Sequence, residues 1–484
     1  MSRVDPTGGH PRLTRRELLA RAAAAGAGLS AGRLLIAGEA RAGRSAEVRR
    51  FVSRPDLLPP VLTILRRSAG TAPGLLFLAP SSGPGRRGAM IVDDAGELVW
   101  FHPTRHQTVM NFRAAIFRGE PVLTWWEGKT EHGLGIGEHV VFDRFYRELA
   151  RFPAGDGAGV DLHELVLTPT GTALITAYDI PVVNRSSVGH PRGRVIEGIV
   201  QELEVPSARV LFEWRSLDHV ALTESYTKVG PVFDYIHVNA VDLASDGNLL
   251  VSARNTWAVY KIDHDNGKVI WRLGGKRSDF MMGPGTRFAW QHDARHHGTD
   301  VVSVFDNADA PQVEPQSRGL VLSLDLKRMH ASLVRAYAHR PRMLAHALGS
   351  VQIQPNGNVL VGWGTEPFYT EYSADGTVTL DARLPHGGEN YRTLRFPWSA
   401  TPAEPPRLAA SGQMLYASWN GATGVHSWQV LVGPSPDGLH AVATVPRTGF
   451  ETAVSLPSSS YGYAAAVALD RSGKQLGRSG PLRL

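Results

Sequence analysis

A recurrent hairpin signal restricts what this chain can fold into more than any other feature. Short apolar, β-branched runs flank a glycine turn in "HELVLTPTGTALITAY", "NAVDLASDGNLLVSAR", "GTDVVSVFDN" and "SVQIQPNGNVLVGWG". Helical periodicity over ten or more residues is hard to find after residue 45. The turn glycines are Gly119, Gly171, Gly247, Gly298 and Gly357, spaced by 52, 76, 51 and 59 residues, with a related earlier unit around Gly96. Second hairpins follow downstream, as in "YKIDHDNGKVIWRL" (260–273) and "YTEYSADGTVTLDARL" (369–384). Two hairpins per unit give four strands per unit, the make-up of a propeller blade, and loops absorb the excess over about 40 to 45 residues per blade. The expected fold class is therefore all-β: a six-bladed β-propeller followed by a small β-sandwich.

The boundaries follow from shifts in composition. Residues 1 to 50 contain ten arginines, no lysine and four acidic residues, which account for the whole formal net charge of +6. The remainder is close to neutral, so charge gives no support to nucleic-acid binding. Arg15-Arg16, a mildly apolar Ala/Leu/Gly stretch and the small-residue sequence Ala40-Arg41-Ala42 read as a twin-arginine export signal over residues 1–42, placing the mature protein outside the cytoplasm. No other run approaches the roughly 18 apolar residues of a membrane-spanning helix. The chain has no cysteine, which excludes disulfides, thiolate metal sites and cysteine nucleophiles. The propeller is assigned to residues 43–398, and a Pro/Ala-rich linker to 399–412. Residues 413–484 alternate like sandwich strands, with Trp419, Trp428, Tyr461 and Tyr463, and resemble a fibronectin type III domain.

The hairpin "YIHVNAVDLASDGNLLVSARNTW" (235–257) is unexpectedly polar for a buried strand pair. If Asp246-Gly247 form a two-residue type I′ turn, Asn239 faces Arg254 and His237 faces Thr256, with His237 and Asn239 on one face of the strand. The same rule pairs Asn111 with Trp126, His163 with Tyr178 and Gly349 with Gly364, and His292 keeps the same parity before Gly298. The first strand of each blade lines the propeller channel. His163, His237, Asn239, Arg254 and His292 are therefore expected at one mouth of it, with Tyr178 and Trp126 as aromatic walls. Four costly polar groups at one level imply a function.

Three chemistries fit such a ring. Three histidines suit zinc, but Arg254 would be pushed against the metal's charge and no carboxylate lies in phase. An arginine with an amide donor and imidazoles is better matched to an oxyanion such as phosphate or sulfate. One histidine can then be a nucleophile and another a proton carrier. No Walker-type nucleotide loop is present. A propeller that only binds an anionic or aromatic ligand, and a metal-dependent hydrolase or lyase, stand as alternatives. No cofactor is expected. Asp263, Gly267 and Trp271 in "DHDNGKVIWRL" read as a blade-closing turn, His296 and His297 as turn residues, and Asp306 and Asn307 as a strand end within reach of the channel.

In "DLHEL" (161–165), "IHVN" (236–239), Arg254 of "SARNT" and "WQHDAR" (290–295), the chain resembles the bacterial arylsulfotransferases, in particular their arylsulfotransferase-like branch. The resemblance covers roughly residues 60 to 400. It implies sulfuryl transfer from a phenolic sulfate ester to a phenolic acceptor without a nucleotide donor, by a ping-pong route through a sulfated histidine. On that resemblance His292 corresponds to the nucleophile, and His237, Asn239 and Arg254 to the groups holding the sulfuryl oxygens. His163 corresponds to the proton-transfer histidine. Characterised members also carry a cysteine pair and an N-terminal β-sandwich, neither of which is legible here.

Overall fold

A computed structural model describes residues 47–104, 107–131, 133–456 and 461–484. The expected export segment 1–42 lies outside the described residues. None of the helices among the described residues is long and apolar enough to cross a membrane. Strands dominate, and among the described residues seven sheets have four or more strands, six of them before residue 400.

The second sheet is the plainest: Thr108–Phe117, Glu120–Glu131, Leu134–Asp143 and Glu148–Phe152 pair as a simple meander. The strand at one edge of the third sheet is Gly159–Leu167, of the fourth Val238–Leu243, of the fifth His292–His297 and of the sixth Ser350–Ile353. The first sheet is built differently. Its strands Leu75–Leu78, Gly88–Val92 and Leu98–Pro103 receive their inner strand, Leu394–Phe396, from the far end of the sequence. Gly96 consequently turns between the two outer strands of its sheet, whereas Gly119 and its counterparts turn between the two inner ones. Thr63–Arg67 pairs with Val378–Arg383 on the outer edge of the sixth sheet, a second link between the ends of the ring.

Side-chain alternation explains why the strands read as continuous apolar runs. Leu174 packs into the core between the third and fourth sheets, while its neighbours Ala173 and Ile175 pack between the second and third. Leu250 faces the fifth sheet, and Leu249 and Val251 face the third. A strand buried on both faces has no polar side to show. Phe77 and Trp100 join the first sheet to Val109 and Leu123 of the second, and Leu76 and Met90 join it to Leu360 and Leu380 of the sixth, so the ring closes.

On the axis this apolar order gives way to an ionic cluster. Arg392, fully buried, sends Nη1 to Asn111 Oδ1 (2.6 Å) and Glu164 Oε1 (2.8 Å), and its Nε lies 3.1 Å from Asp293 Oδ1. Glu164 is also bound by Arg295, which bridges to Asp293 at 2.7 Å. Burial pushes the Glu164 carboxyl up, but Arg295, Arg392 and Arg113 outweigh it and hold its pKa at about 2. One arginine from the closing segment thus ties together side chains of the second, third and fifth sheets.

Beyond the ring, Arg407–Ser411, Met414–Ser418 and Glu451–Ser455 form one sheet, and Ser427–Gly433 with its partners forms another. Residues 407–411, expected in the linker, are a strand of this sandwich because they pair with 414–418 across a tight turn at Gly412. Phe450 packs on Phe51 with ring centroids 4.4 Å apart, and Asn420 brackets the backbone of Phe101 in the first sheet, so the sandwich is docked on the ring.

Two outcomes follow for stability. Replacing Arg392 by Met leaves Glu164 and Asp293 buried and short of a partner, and should cost about 3–5 kcal/mol in denaturant unfolding; a loss under about 1 kcal/mol would mean the cluster does not hold the ring. His139 is fully buried beside Phe152 with neither ring nitrogen bonded, and burial lowers its pKa to about 4. The unfolded chain takes up this proton near pH 6.5 and the folded chain only near 4. Stability should therefore fall as the pH drops through that window, by roughly 3 kcal/mol from this residue. His139→Phe should flatten the dependence measured between pH 7 and pH 4.5.

Candidate active site

The hairpin around Gly247 carries the first part of the site, and its geometry departs from the expected two-residue turn. Ala244 N–H donates to Asn248 O at 2.9 Å and Gly247 N–H to Ala244 O at 3.0 Å. Ser245, Asp246 and Gly247 form a three-residue loop, with Gly247 at φ +82° after a type I turn. A register shift between Val238 and Ala240 adds a bulge, so Val238 faces Ala253 and Ala240 faces Ser252. The expected facing of Asn239 with Arg254 and of His237 with Thr256 does not form. Arg254 N–H donates instead to His237 O at 2.9 Å, and His237 takes the left-handed φ of +51°.

Bulges of this kind recur where strands meet the axis. In the second sheet the register shifts between Met110 and Arg113, Asn111 takes φ +53°, and Met110 rather than Asn111 faces Trp126. In the third sheet residues 161–164 stand against Thr176 alone, and Gly159 rather than His163 faces Tyr178. In the sixth there is no bulge; a three-residue loop closed by Gln354 N–H on Asn358 O makes Ser350 face Gly362 and displaces the expected Gly349–Gly364 pair. In the fifth, Asp293 at φ +55° sits in the shift between His292 and Arg295. A bulge re-aims side chains, and here it turns polar ones toward the axis.

The three histidines converge despite the altered registers. The His163 ring lies 5.0 Å from that of His237 and 6.2 Å from that of His292. The Arg254 guanidinium lies over the Trp290 ring at 4.9 Å and donates to Asn255 Oδ1 (3.0 Å) and the His346 carbonyl (3.2 Å). Tyr178 donates its hydroxyl to Gly135 O at 3.0 Å and lines a small cavity with Asp161, His163, His237 and Val238. Two expected residues sit differently. Asn239 is fully buried, its Nδ2 donating to Gln291 O at 2.7 Å and its Oδ1 without a partner. Trp126 is core between the second and third sheets, pressed against Gly128, Gly135 and Gly137, rather than a wall of the cavity.

Each histidine is oriented through Nδ1. His163 Nδ1 lies 2.7 Å from Asp161 Oδ2, His237 Nδ1 2.7 Å from Asp234 Oδ2, and His292 Nδ1 2.7 Å from Asn307 Oδ1. Asn307 Nδ2 is engaged with the carbonyls of Ala345 and Leu348, which leaves its oxygen for His292. His292 Nδ1 therefore donates, and Nε2 keeps its lone pair, accepting a long 3.3 Å bond from Leu348 N–H. Burial, Arg254 and the neighbouring His163 hold His292 well below the usual imidazole range, so it is neutral at ordinary pH. Burial likewise lowers His163, with Asp161 opposing it. For Asp161 the burial effect is upward, but His163 outweighs it and the carboxyl stays below its usual range.

Tyr391 forms the floor. Its hydroxyl accepts from Arg392 Nη2 at 3.0 Å and reaches the carbonyls of His163 (3.1 Å) and Asn239 (3.2 Å). Asp161 and Glu164 stood inside the quoted "DLHEL", and Asp234 three residues before His237, with no sequence signal of their pairing. Tyr391 and Arg392 carry no hairpin signal; only knowledge of the closing strand could have found them. Among the described residues no group of three His, Asp or Glu side chains is arranged to hold a metal ion.

The arrangement brings together a neutral imidazole on an amide, two imidazoles on carboxylates and, near His292, the Arg254 guanidinium; the small cavity itself is lined by His163, His237, Tyr178 and apolar residues such as Leu134 and Ile196. A family model described as Arylsulfotransferase (ASST) matches residues 113–384. No curated protein matches the chain. Among solved structures, a protein of unknown function from Bacteroides caccae is 14% identical, covering 66% of this chain and 98% of its own, with a TM-score of 0.43. A streptogramin B lyase is 10% identical over 74% of this chain and 93% of its own, with a TM-score of 0.35. A catalytically inactive virginiamycin B lyase from Staphylococcus aureus with quinupristin is 11% identical over 74% and 96%, with a TM-score of 0.33. With more than half of its length matched by the family model, the chain belongs to the arylsulfotransferase (ASST) family.

Proposed function

We propose that the protein moves a sulfuryl group from a phenolic sulfate ester to a phenolic acceptor through a covalent intermediate on His292, without a nucleotide donor. The observation that carries this reading is the state of His292: buried, neutral, with Nδ1 committed to Asn307 and Nε2 bearing the free pair. In the first half-reaction Nε2 attacks sulfur, giving up its long bond from Leu348 N–H, and the bond from sulfur to the phenolic oxygen breaks. Arg254 and His237 meet the sulfuryl oxygens as their charge grows. His163, entering this step as imidazolium with Asp161 opposing the downward pull of burial, hands its Nε2 proton to the departing phenolate and regains one there from the incoming phenol, whose oxygen then takes the sulfuryl group and frees His292. The twin arginines at 15 and 16 support a setting outside the cytoplasm.

The test is incubation with 4-nitrophenyl sulfate and phenol. Transfer should be abolished in His292→Ala and reduced on the order of a hundredfold to a thousandfold in Arg254→Ala. Donor given without acceptor should add one sulfuryl mass to the peptide carrying His292. Chelators should leave the rate unchanged; a rate that collapses on chelation, or ligand binding with no transfer from any of several donors, would replace this reading by a metal-dependent or a purely binding one.

A further inference from the structure

The three histidines share a geometry but not a partner. The rings of His163 and His237 rest on carboxylates, Asp161 and Asp234, and that of His292 on an uncharged amide, Asn307, all at 2.7 Å. A carboxylate only accepts, so Nδ1 carries the hydrogen in the two Asp-backed rings, as it does in His292, and Nε2 is the nitrogen that faces the site, in His292 carrying only the long bond from Leu348 N–H. What the partner changes is the charge the ring can bear. A carboxylate against Nδ1–H stabilises imidazolium, while an amide fixes the tautomer and adds little charge stabilisation.

We propose that this difference divides the chemistry, with Asp161, Asp234 and Asn307 as positioning residues acting through their histidines. Asp161 lets His163 carry the proton exchanged with the phenolic oxygen. Asp234 holds the His237 ring through Nδ1 so that its Nε2 edge faces the sulfuryl oxygens. Asn307 keeps His292 a nucleophile that can also let go. The last point follows from the electron count. When the Nε2–S bond forms, the His292 ring takes on positive charge with Nδ1–H still in place, and the aryloxide leaves with its electron pair and the proton from His163. A carboxylate at 307 would neutralise the charged ring, deepen the intermediate and retard the second half-reaction, in which the N–S bond must break. The amide orients the ring without that penalty. Burial and the Arg254 guanidinium already disfavour positive charge on this ring. The inference rests on the sulfuryl-transfer reading above.

Three near-isosteric variants test it: Asp161→Asn, Asp234→Asn and Asn307→Asp. Phenyl sulfate, whose phenolate departs poorly unless protonated, is compared with 4-nitrophenyl sulfate, whose phenolate needs little help. Asp161→Asn should lose on the order of tenfold more rate on phenyl sulfate than on 4-nitrophenyl sulfate. Asp234→Asn should raise KM for both donors alike and leave their rate ratio as in the wild type. Asn307→Asp given donor alone should accumulate sulfated protein and discharge it to phenol at least tenfold more slowly than wild type. Equal losses on the two donors in Asp161→Asn, or discharge from Asn307→Asp at the wild-type rate, would overturn the division of labour while leaving sulfuryl transfer standing. Wild-type protein that transfers nothing from either donor would overturn both.

Discussion

The ionic cluster of Glu164, Asp293, Arg295 and Arg392 is the constraint on which the rest depends. Charges so deeply buried are tolerated only when each is met by a partner of opposite sign, and removing one leaves the others stranded. The partners here come from the third sheet, the fifth sheet and the closing segment, so the cluster is satisfied only when these surround the axis at the right height. Hydrophobic packing between neighbouring sheets is strong but non-directional. The cluster adds the direction, because a guanidinium fork donates to carboxylate and amide oxygens close to its own plane.

The same cluster supports strained backbone around it. Asn111, His237 and Asp293 all take left-handed φ values at bulges close to the axis, and Trp257 and Trp290 do so beside Arg254. Such conformations cost of the order of 1–3 kcal/mol each and persist only where surrounding contacts over-determine them. Arg392 bonded to Asn111 Oδ1 and close to Asp293 supplies that over-determination on two of these residues. Asp234 does it for His237 through the ring. The polar residues that looked out of place in the sequence are thus held where an apolar strand would not put them.

Much of the architecture was legible. Glycine turns between β-branched runs gave the hairpins, and runs without polar alternation gave strands buried on both faces. The histidines of the site were legible as a set, because His163, His237 and His292 each stand on the first strand of a sheet or at its edge. Their registers were not. A hairpin with "SDGN" accepts either a two-residue or a three-residue loop, and the choice shifts every partner by one. Bulges at Val238–Ala240 and Met110–Arg113 then change the facing again, and nothing local in the sequence announces them. Trp126 and Asn239 were misplaced for that reason. The Nδ1 partners escaped because a carboxylate two or three residues from a histidine is commonplace, and only the fold turns the two side chains onto each other.

The inner strand Leu394–Phe396 has an implication for the order of events during folding. Everything that ends the site from below, the Tyr391 hydroxyl under His163 and Asn239 and the Arg392 fork beneath it, belongs to the segment that completes the first sheet across more than 300 residues of chain. Contacts of such sequence separation are the slowest to form. The histidines can be brought near one another by their own sheets, but they acquire a rigid floor only when the last inner strand docks. A partially closed ring would be an open, floorless funnel, so the site matures in the same step that seals the circle.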